Sequence, residues 1–162
     1  MATEIERKFL VRREAWHPVS GTGVRYRQGY LAAGPSCTVR VRVSAHGAFL
    51  TVKGATSGIA RAEYEYAIPP ADAEEMLATL CSAPLIDKVR YRVPHAGRVW
   101  EVDEFEGANA GLLLAEIELP AVDAPVDLPP WAGREVSGDP RFFNSYLAAH
   151  PYAEWRHEAP AP

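Results

Sequence analysis

The sequence predicts a mainly β fold of the α+β kind: a closed eight-stranded antiparallel barrel with a charged lumen and helices packed outside. Three observations lead there. Eight short segments alternate apolar and polar residues with the period of two that a strand imposes. Seven of them carry like charges at i and i+2, although like charges side by side on a sheet face are unfavourable. The signs are also segregated by segment, acidic in the first, fifth, seventh and eighth and basic in the second, third, fourth and sixth. Eight antiparallel strands can close into a barrel. With the charged faces inward the lumen cannot be a dry core, so it must be a wet tunnel or hold a highly charged ligand.

The first segment is Glu4-Ile5-Glu6-Arg7-Lys8-Phe9-Leu10-Val11, with Glu4, Glu6 and Lys8 on one face and Ile5, Phe9 and Val11 on the other; Arg7 is the polar exception. Pro18, Ser20, Gly21 and Gly23 then mark a loop. Residues 24–31 alternate, with Arg25 and Arg27 on one face and Tyr26 on the other, until Gly34-Pro35-Ser36 breaks the run. In residues 38–43, Val39, Val41 and Val43 oppose Thr38, Arg40 and Arg42. His46-Gly47 signals a hairpin into residues 49–54, where Thr51 and Lys53 share a face. Residues 62–68 repeat the acidic pair with Glu63 and Glu65. Pro69-Pro70 stops that strand, and residues 72–80 form an amphipathic helix with acids in its first turn and Ala73, Leu77 and Leu80 on one side. Strands resume over 86–93 (Lys88, Arg90, Arg92), 99–105 (Glu101 and Asp103) and 112–119 (Glu116 and Glu118). A proline-rich connection follows, then a capped helix from Asp139-Pro140 to about Ala149. One domain over residues 1–150 is expected, with a frayed tail over 151–162.

Composition limits the function. Of 162 residues, 23% are charged and 48% hydrophobic, ordinary for a globular domain, and the net charge of −4 gives no broad basic footprint for nucleic acid or anionic membrane. Cys37 and Cys81 lack metal-ligand or redox spacing and read as reduced thiols. With no signal-like start and no apolar run near the ~20 residues a membrane helix needs, a cytoplasmic protein is expected. No G-x-x-x-x-G-K-[ST] loop is present, and the five histidines show no ligand or triad spacing. Fourteen arginines stand beside only three lysines, Lys8, Lys53 and Lys88, each in a strand-like segment; lysine, unlike arginine, can exchange a proton. Acids lining such a lumen suit Mg²⁺ or Mn²⁺ as hard oxygen donors, and cations beside them suit phosphate oxygens.

Glu4-x-Glu6-x-Lys8, Arg27-Gln28-Gly29-Tyr30, Arg40-x-Arg42, Lys53, Glu63-Tyr64-Glu65, Lys88-Val89-Arg90-Tyr91, Asp103, Glu116-x-Glu118, Pro129-Pro130-Trp131 and Gly138-Asp139 through Asn144 occur in the order of a known pattern. By them the chain resembles the CYTH family, also called triphosphate tunnel metalloenzymes. The resemblance implies a barrel that binds a linear triphosphate with divalent Mg²⁺ or Mn²⁺ and hydrolyses it, inorganic triphosphate giving pyrophosphate and phosphate. Relatives on the same fold hydrolyse thiamine or nucleoside triphosphates or cyclise ATP, and a non-catalytic polyphosphate- or nucleotide-binding module is the alternative of another class. Lys8, Arg27, Arg40, Arg42, Lys53, Lys88 and Arg90 would clamp phosphate oxygens. Glu4, Glu6, Glu116 and Glu118 would hold metal, with Glu63, Glu65 and Asp103 completing the shell or holding the basic residues in place. Lys53 or Lys88 would transfer a proton, and Tyr30 would contact the terminal phosphate. Arg25, Arg92 and Glu101 are expected at the rim or surface, and Trp131 and Trp155 in packing. The partner is a small triphosphate, with no nucleic acid or membrane; the oligomeric state is left open, a homodimer included.

Overall fold

The computed structural model describes residues 3–19 and 21–162. Nine strands form one sheet: β1 (Thr3–Val11), β2 (Val24–Ala33), β3 (Cys37–Ser44), β4 (Gly47–Gly54), β5 (Ala60–Ile68), β6 (Ile86–His95), β7 (Arg98–Phe105), β8 (Leu113–Glu118) and β9 (Ala132–Glu135). Their order is β5-β4-β3-β2-β6-β7-β8-β1-β9, and β5 pairs back onto β1, which closes β1 to β8 into an antiparallel barrel. The closing seam is short. On one edge β1 runs against β8 from Glu6 to Leu10. On the other it meets β5 only from Thr3 to Ile5, and β9 takes over at Phe9 and Val11. The ninth strand, β9, follows the proline-rich connection and is absent from the sequence pattern because its four residues carry no alternation; it gives Arg7 its partner, with Nε donating to Glu135 Oε1 at 2.8 Å.

The hydrophobic core lies mainly outside the barrel. Phe9, Trp16, Trp100, Val102, Ile117 and Trp131 form one cluster beneath the connections, with Trp131 edge-on to both Trp16 and Trp100 at centroid distances of 5.4 and 5.5 Å. Such pairs add about 1 kcal/mol each beyond buried area. A smaller cluster seats helix α1 (Pro70–Thr79), where Ala73 and Leu77 meet Val41 and Ala48 on β3 and β4. The connection after α1 runs close over β2 at Gly29, where a Cβ would lie 2.9 Å from Cys81 Sγ and 2.9 Å from Leu85 Cδ2.

The third cluster sets the floor of the lumen. Continuing the inward alternation past the charges, Leu10, Ile86, Phe105 and Leu114 pack with Phe142, Leu147 and Trp155 from the C-terminal segment. The helix expected over 139–149 is therefore corrected in two ways. It breaks at Phe143, whose extended backbone separates a 3-10 turn, Pro140–Phe142, from α2 (Asn144–Ala149), although Asp139 does cap the turn by accepting from Arg141 N at 3.1 Å. It also closes one end of the barrel, since Phe143, Asn144 and Ser145 line the cavity. The expected frayed tail is corrected too: α3 (Tyr152–Trp155) buries Trp155 to 8% exposure, and Pro162 lies so close to Gly133 that a Cβ there would be 2.7 Å away. Apolar area and a close backbone approach hold these residues, signals that a short Pro- and Ala-rich tail does not advertise.

Candidate active site

The open part of the lumen is a cavity of about 410 Å³. Its wall carries eight cations (Lys8, Arg40, Arg42, Lys53, Arg61, Lys88, Arg90, Arg92) and seven carboxylates (Glu4, Glu6, Glu63, Glu65, Glu101, Glu116, Glu118). Strand alternation delivers them: on β1 the even residues point in, and register sets Glu6 opposite Glu118 and Lys8 opposite Glu116 on β8. Tyr30, Lys53 and Lys88 all line the same cavity.

The charges are paired in three groups. Deepest, Asp103 is fully buried and spends both oxygens on cations, one accepting from Lys88 Nζ at 2.6 Å and from Arg90 Nη2 at 2.7 Å, the other from Arg90 Nε at 2.6 Å. Arg90 also reaches Glu101 and donates to Glu116 Oε2 at 2.9 Å, while Glu116 Oε1 accepts from Lys8 Nζ at 2.6 Å. Near the seam, Glu4 accepts from Lys53 Nζ at 2.8 and 2.9 Å and from Arg61 Nε at 2.8 Å, with Glu63 2.6 Å from Lys53. On the β3 to β5 wall, Glu65 Oε2 accepts from Arg42 at 3.1 Å and from Thr51 at 2.9 Å, and Thr51 accepts from Arg40 at 3.2 Å.

Burial and these partners move the proton affinities apart. Burial pushes Glu4 up, but Lys53 and Arg61 outweigh it and hold the carboxyl at about 2. Glu116 is held well below its usual value in the same way, by Lys8 and Arg90 against burial. Glu6 goes the other way: burial, then the neighbouring Glu116, raises it to about 6. Lys88 is pulled down to about 8 by burial, with Arg90 adding to the effect and Asp103 opposing it. Burial also raises the Tyr30 phenol.

Two of the expected site residues need correction. Arg27 does not face the lumen; it pairs with Glu74 on α1 outside the barrel, as Arg25 pairs with Glu106. On β2 the inward residues are Tyr26, Gln28 and Tyr30, so the charged face and the lumen face are opposite ones there. Asp103 is not placed to bind metal, since it has no free oxygen and lies behind the cavity wall; it holds Lys88 and Arg90 in place. Conversely, Arg61 lines the cavity although it falls one residue before the predicted fifth strand. Its phase with Glu63 and Glu65 is the signal that finds it. Glu101 and Arg92 sit at the mouth, Arg92 with its side chain 71% exposed.

Among the described residues no three carboxylate, histidine or cysteine side chains already converge as metal ligands. The donor set fits a divalent cation best at Glu6 and Glu118. They face each other across the β1–β8 ladder, Glu6 has only Lys8 at 3.6 Å, and Glu118 has no ion-pair partner among the described residues. Two hard carboxylates short of positive charge are what such an ion compensates.

Known proteins are similar to this chain over nearly its whole length. The chain is 49% identical over 156 residues to an inorganic triphosphatase of Acetivibrio thermocellus, covering 96% of this chain and 99% of that one. It is 38% identical over 153 residues to an inorganic triphosphatase of Nitrosomonas europaea, covering 90% and 97%. A crystal structure of an inorganic triphosphatase superposes with a TM-score of 0.64 at 35% identity, over 91% of this chain and 95% of that one. The sequence profile of the CYTH domain matches residues 2–143, and with the closed barrel and its charged lumen this establishes that the chain belongs to the CYTH domain family.

Proposed function

We propose that the protein is an inorganic triphosphatase, hydrolysing triphosphate to pyrophosphate and phosphate inside the tunnel. The observation that carries the reading is on β3: Arg40 and Arg42 each hold a buried Nε–H with no acceptor among the described residues, in a cavity walled by cations. A buried unpaired donor is costly, and an oxyanion relieves it. The similarity to two inorganic triphosphatases, at 49% and 38% identity, supports the inorganic form. The Tyr26 ring is itself engaged by the guanidinium groups of Arg42 and Arg90, 5.2 and 5.6 Å from its centroid, which gathers two cations on this wall.

The chemistry follows from charge placement. A triphosphate carries about four negative charges, and its loose transition state is stabilised by positioning and electrostatics. Lys8, Arg40, Arg42, Lys53 and Arg90 bind its oxygens, and Tyr30 donates at its end. Glu6 and Glu118 would hold Mg²⁺ or Mn²⁺, with Glu4 and Glu116 beside them and Glu63 next to Glu4 on the shared Lys53. When bound, the ion would supply positive charge to the phosphate oxygens and polarise water. Water oxygen bonds to the terminal phosphorus as the P–O bond to the leaving pyrophosphate breaks. Lys88 Nζ, protonated below about pH 8, gives its proton to that pyrophosphate oxygen. Asp103 keeps Lys88 and Arg90 in register while this happens.

The test is a panel of tripolyphosphate, ATP and thiamine triphosphate, each with Mg²⁺, with Mn²⁺ and with chelator, read for phosphate and for cyclic AMP. Metal-dependent phosphate release with tripolyphosphate preferred is expected. Preference for ATP with cyclic AMP as product refutes the reading.

A further inference from the structure

We propose that Asn144 binds the substrate directly, its side-chain N–H₂ donating to a triphosphate oxygen, and that Lys88 and Gln28 hold it in that orientation. This rests on the triphosphatase reading. Asn144 opens α2 on the cavity wall, immediately after the extended Phe143. Its Oδ1 lies 3.0 Å from Lys88 Nζ and 3.1 Å from Gln28 Nε2.

The polarity of this chain of hydrogen bonds is forced. An ammonium only donates, so the atom facing Lys88 must be the amide oxygen. Gln28 shares that oxygen and must therefore donate as well, turning its own Oε1 to a place where it is fully buried and without a partner. An amide free to rotate would avoid that arrangement, so the contact to Asn144 determines how Gln28 sits. With Oδ1 occupied twice, Asn144 is left with Nδ2, which has no protein acceptor among the described residues and belongs to a half-buried side chain on the cavity wall. A neutral donor suits this place. It can hydrogen-bond a phosphate oxygen beside Lys88 without adding another cation that would drive the Lys88 proton off. Gln28, which is buried and reaches the substrate only through Asn144, is a positioning residue.

The experiment is steady-state hydrolysis of tripolyphosphate with Mg²⁺ by wild type, Asn144→Ala, Asn144→Asp, Gln28→Met and the Asn144→Ala/Gln28→Met double variant, with circular dichroism to verify folding. Asn144→Asp keeps both acceptor bonds and so protects the local structure while replacing the donor with an anion. Expected are a KM raised about tenfold or more in Asn144→Ala and further in Asn144→Asp, with kcat changed much less. Gln28→Met raises KM in the wild-type background but adds nothing to Asn144→Ala, since it acts through that residue. If wild type hydrolyses tripolyphosphate and both Asn144 variants keep its KM, the proposal is wrong while the function stands. Multiplying effects in the double variant overturn the role of Gln28. A wild type inactive on tripolyphosphate removes the function and this proposal together.

Discussion

Replacing Glu6 with Gln should make the metal-free protein more stable and the enzyme worse. The Glu6 carboxyl sits 19% exposed, 3.6 Å from Lys8, beside Glu116 and Glu4, and its pKa rises from 4.5 to about 6 on folding. A carboxyl with a raised folded value destabilises the fold when ionised. The cost is full above about pH 6 and vanishes as the pH falls below 4.5. At about 1.4 kcal/mol per pKa unit it amounts to about 2 kcal/mol at pH 7.5 and less than about 1 kcal/mol at pH 5. The amide removes that charge and keeps the shape, and Lys8 retains its 2.6 Å partner Glu116. For a chain of this size about 2 kcal/mol corresponds to roughly 4–8 °C in Tm. Thermal unfolding at both pH values, with chelator and with Mg²⁺, measures it. Glu6→Gln should melt higher than wild type at pH 7.5 with chelator, lose most of that advantage at pH 5, and gain less from Mg²⁺, while turnover collapses. A variant that melts at or below wild type at pH 7.5, or whose advantage is the same at pH 5, refutes the electrostatic account of this wall.

Three further outcomes follow from the geometry. Lys88→Arg keeps the charge beside Asp103 but not a proton that leaves near pH 8, so kcat should fall about 10²-fold or more and the alkaline limb near pH 8 should vanish from the rate profile, whereas Lys53→Arg should retain the limb. Arg27→Ala should leave KM and kcat for tripolyphosphate at wild-type values and change stability by less than about 0.5 kcal/mol, because Arg27 pairs with Glu74 on the exposed side; Arg42→Ala, assayed alongside, should raise KM. Trp155→Ala should cost about 3 kcal/mol in denaturant unfolding, because the ring packs on Phe142 at 5.3 Å over the barrel floor; a frayed tail would show no change.

What the sequence revealed depended on how differently the two faces of each strand were treated by folding. On β3, Val39, Val41 and Val43 against Arg40 and Arg42 left one consistent reading, because the outer face is buried under α1 and the inner one is wet. On β2 both faces are polar: Arg25 and Arg27 find Glu106 and Glu74 outside, and Tyr26 and Gln28 sit inside under other residues' charges. Charge alone could not choose between them. Arg61 was lost to a strand boundary placed two residues late, and such boundaries are set by pairing with β1, which lies far away in sequence. Asp103 could be read from its phase but not assigned a role, since whether a carboxylate faces a cavity or is consumed by two cations depends on register with β6. The break at Phe143 and the burial of Trp155 come from contacts with the barrel floor and have no local signature.

The position of β1 bears on biosynthesis. It emerges from the ribosome before the other strands of this sheet, yet its partners are β5, β8 and β9, the last of them ending at Glu135. β2 to β5 can form as successive local hairpins, whereas the N-terminal strand must wait until most of the chain has been made. Throughout that wait it is an unpaired edge, the kind of segment that recruits other chains. Glu4, Glu6 and Lys8 place a charge at every second residue of it, which opposes stacking on a second copy. The charged residues that line the lumen of the folded protein thus also act as gatekeepers for the nascent chain, and neutralising several of them together should lower soluble yield even where the folded protein becomes more stable.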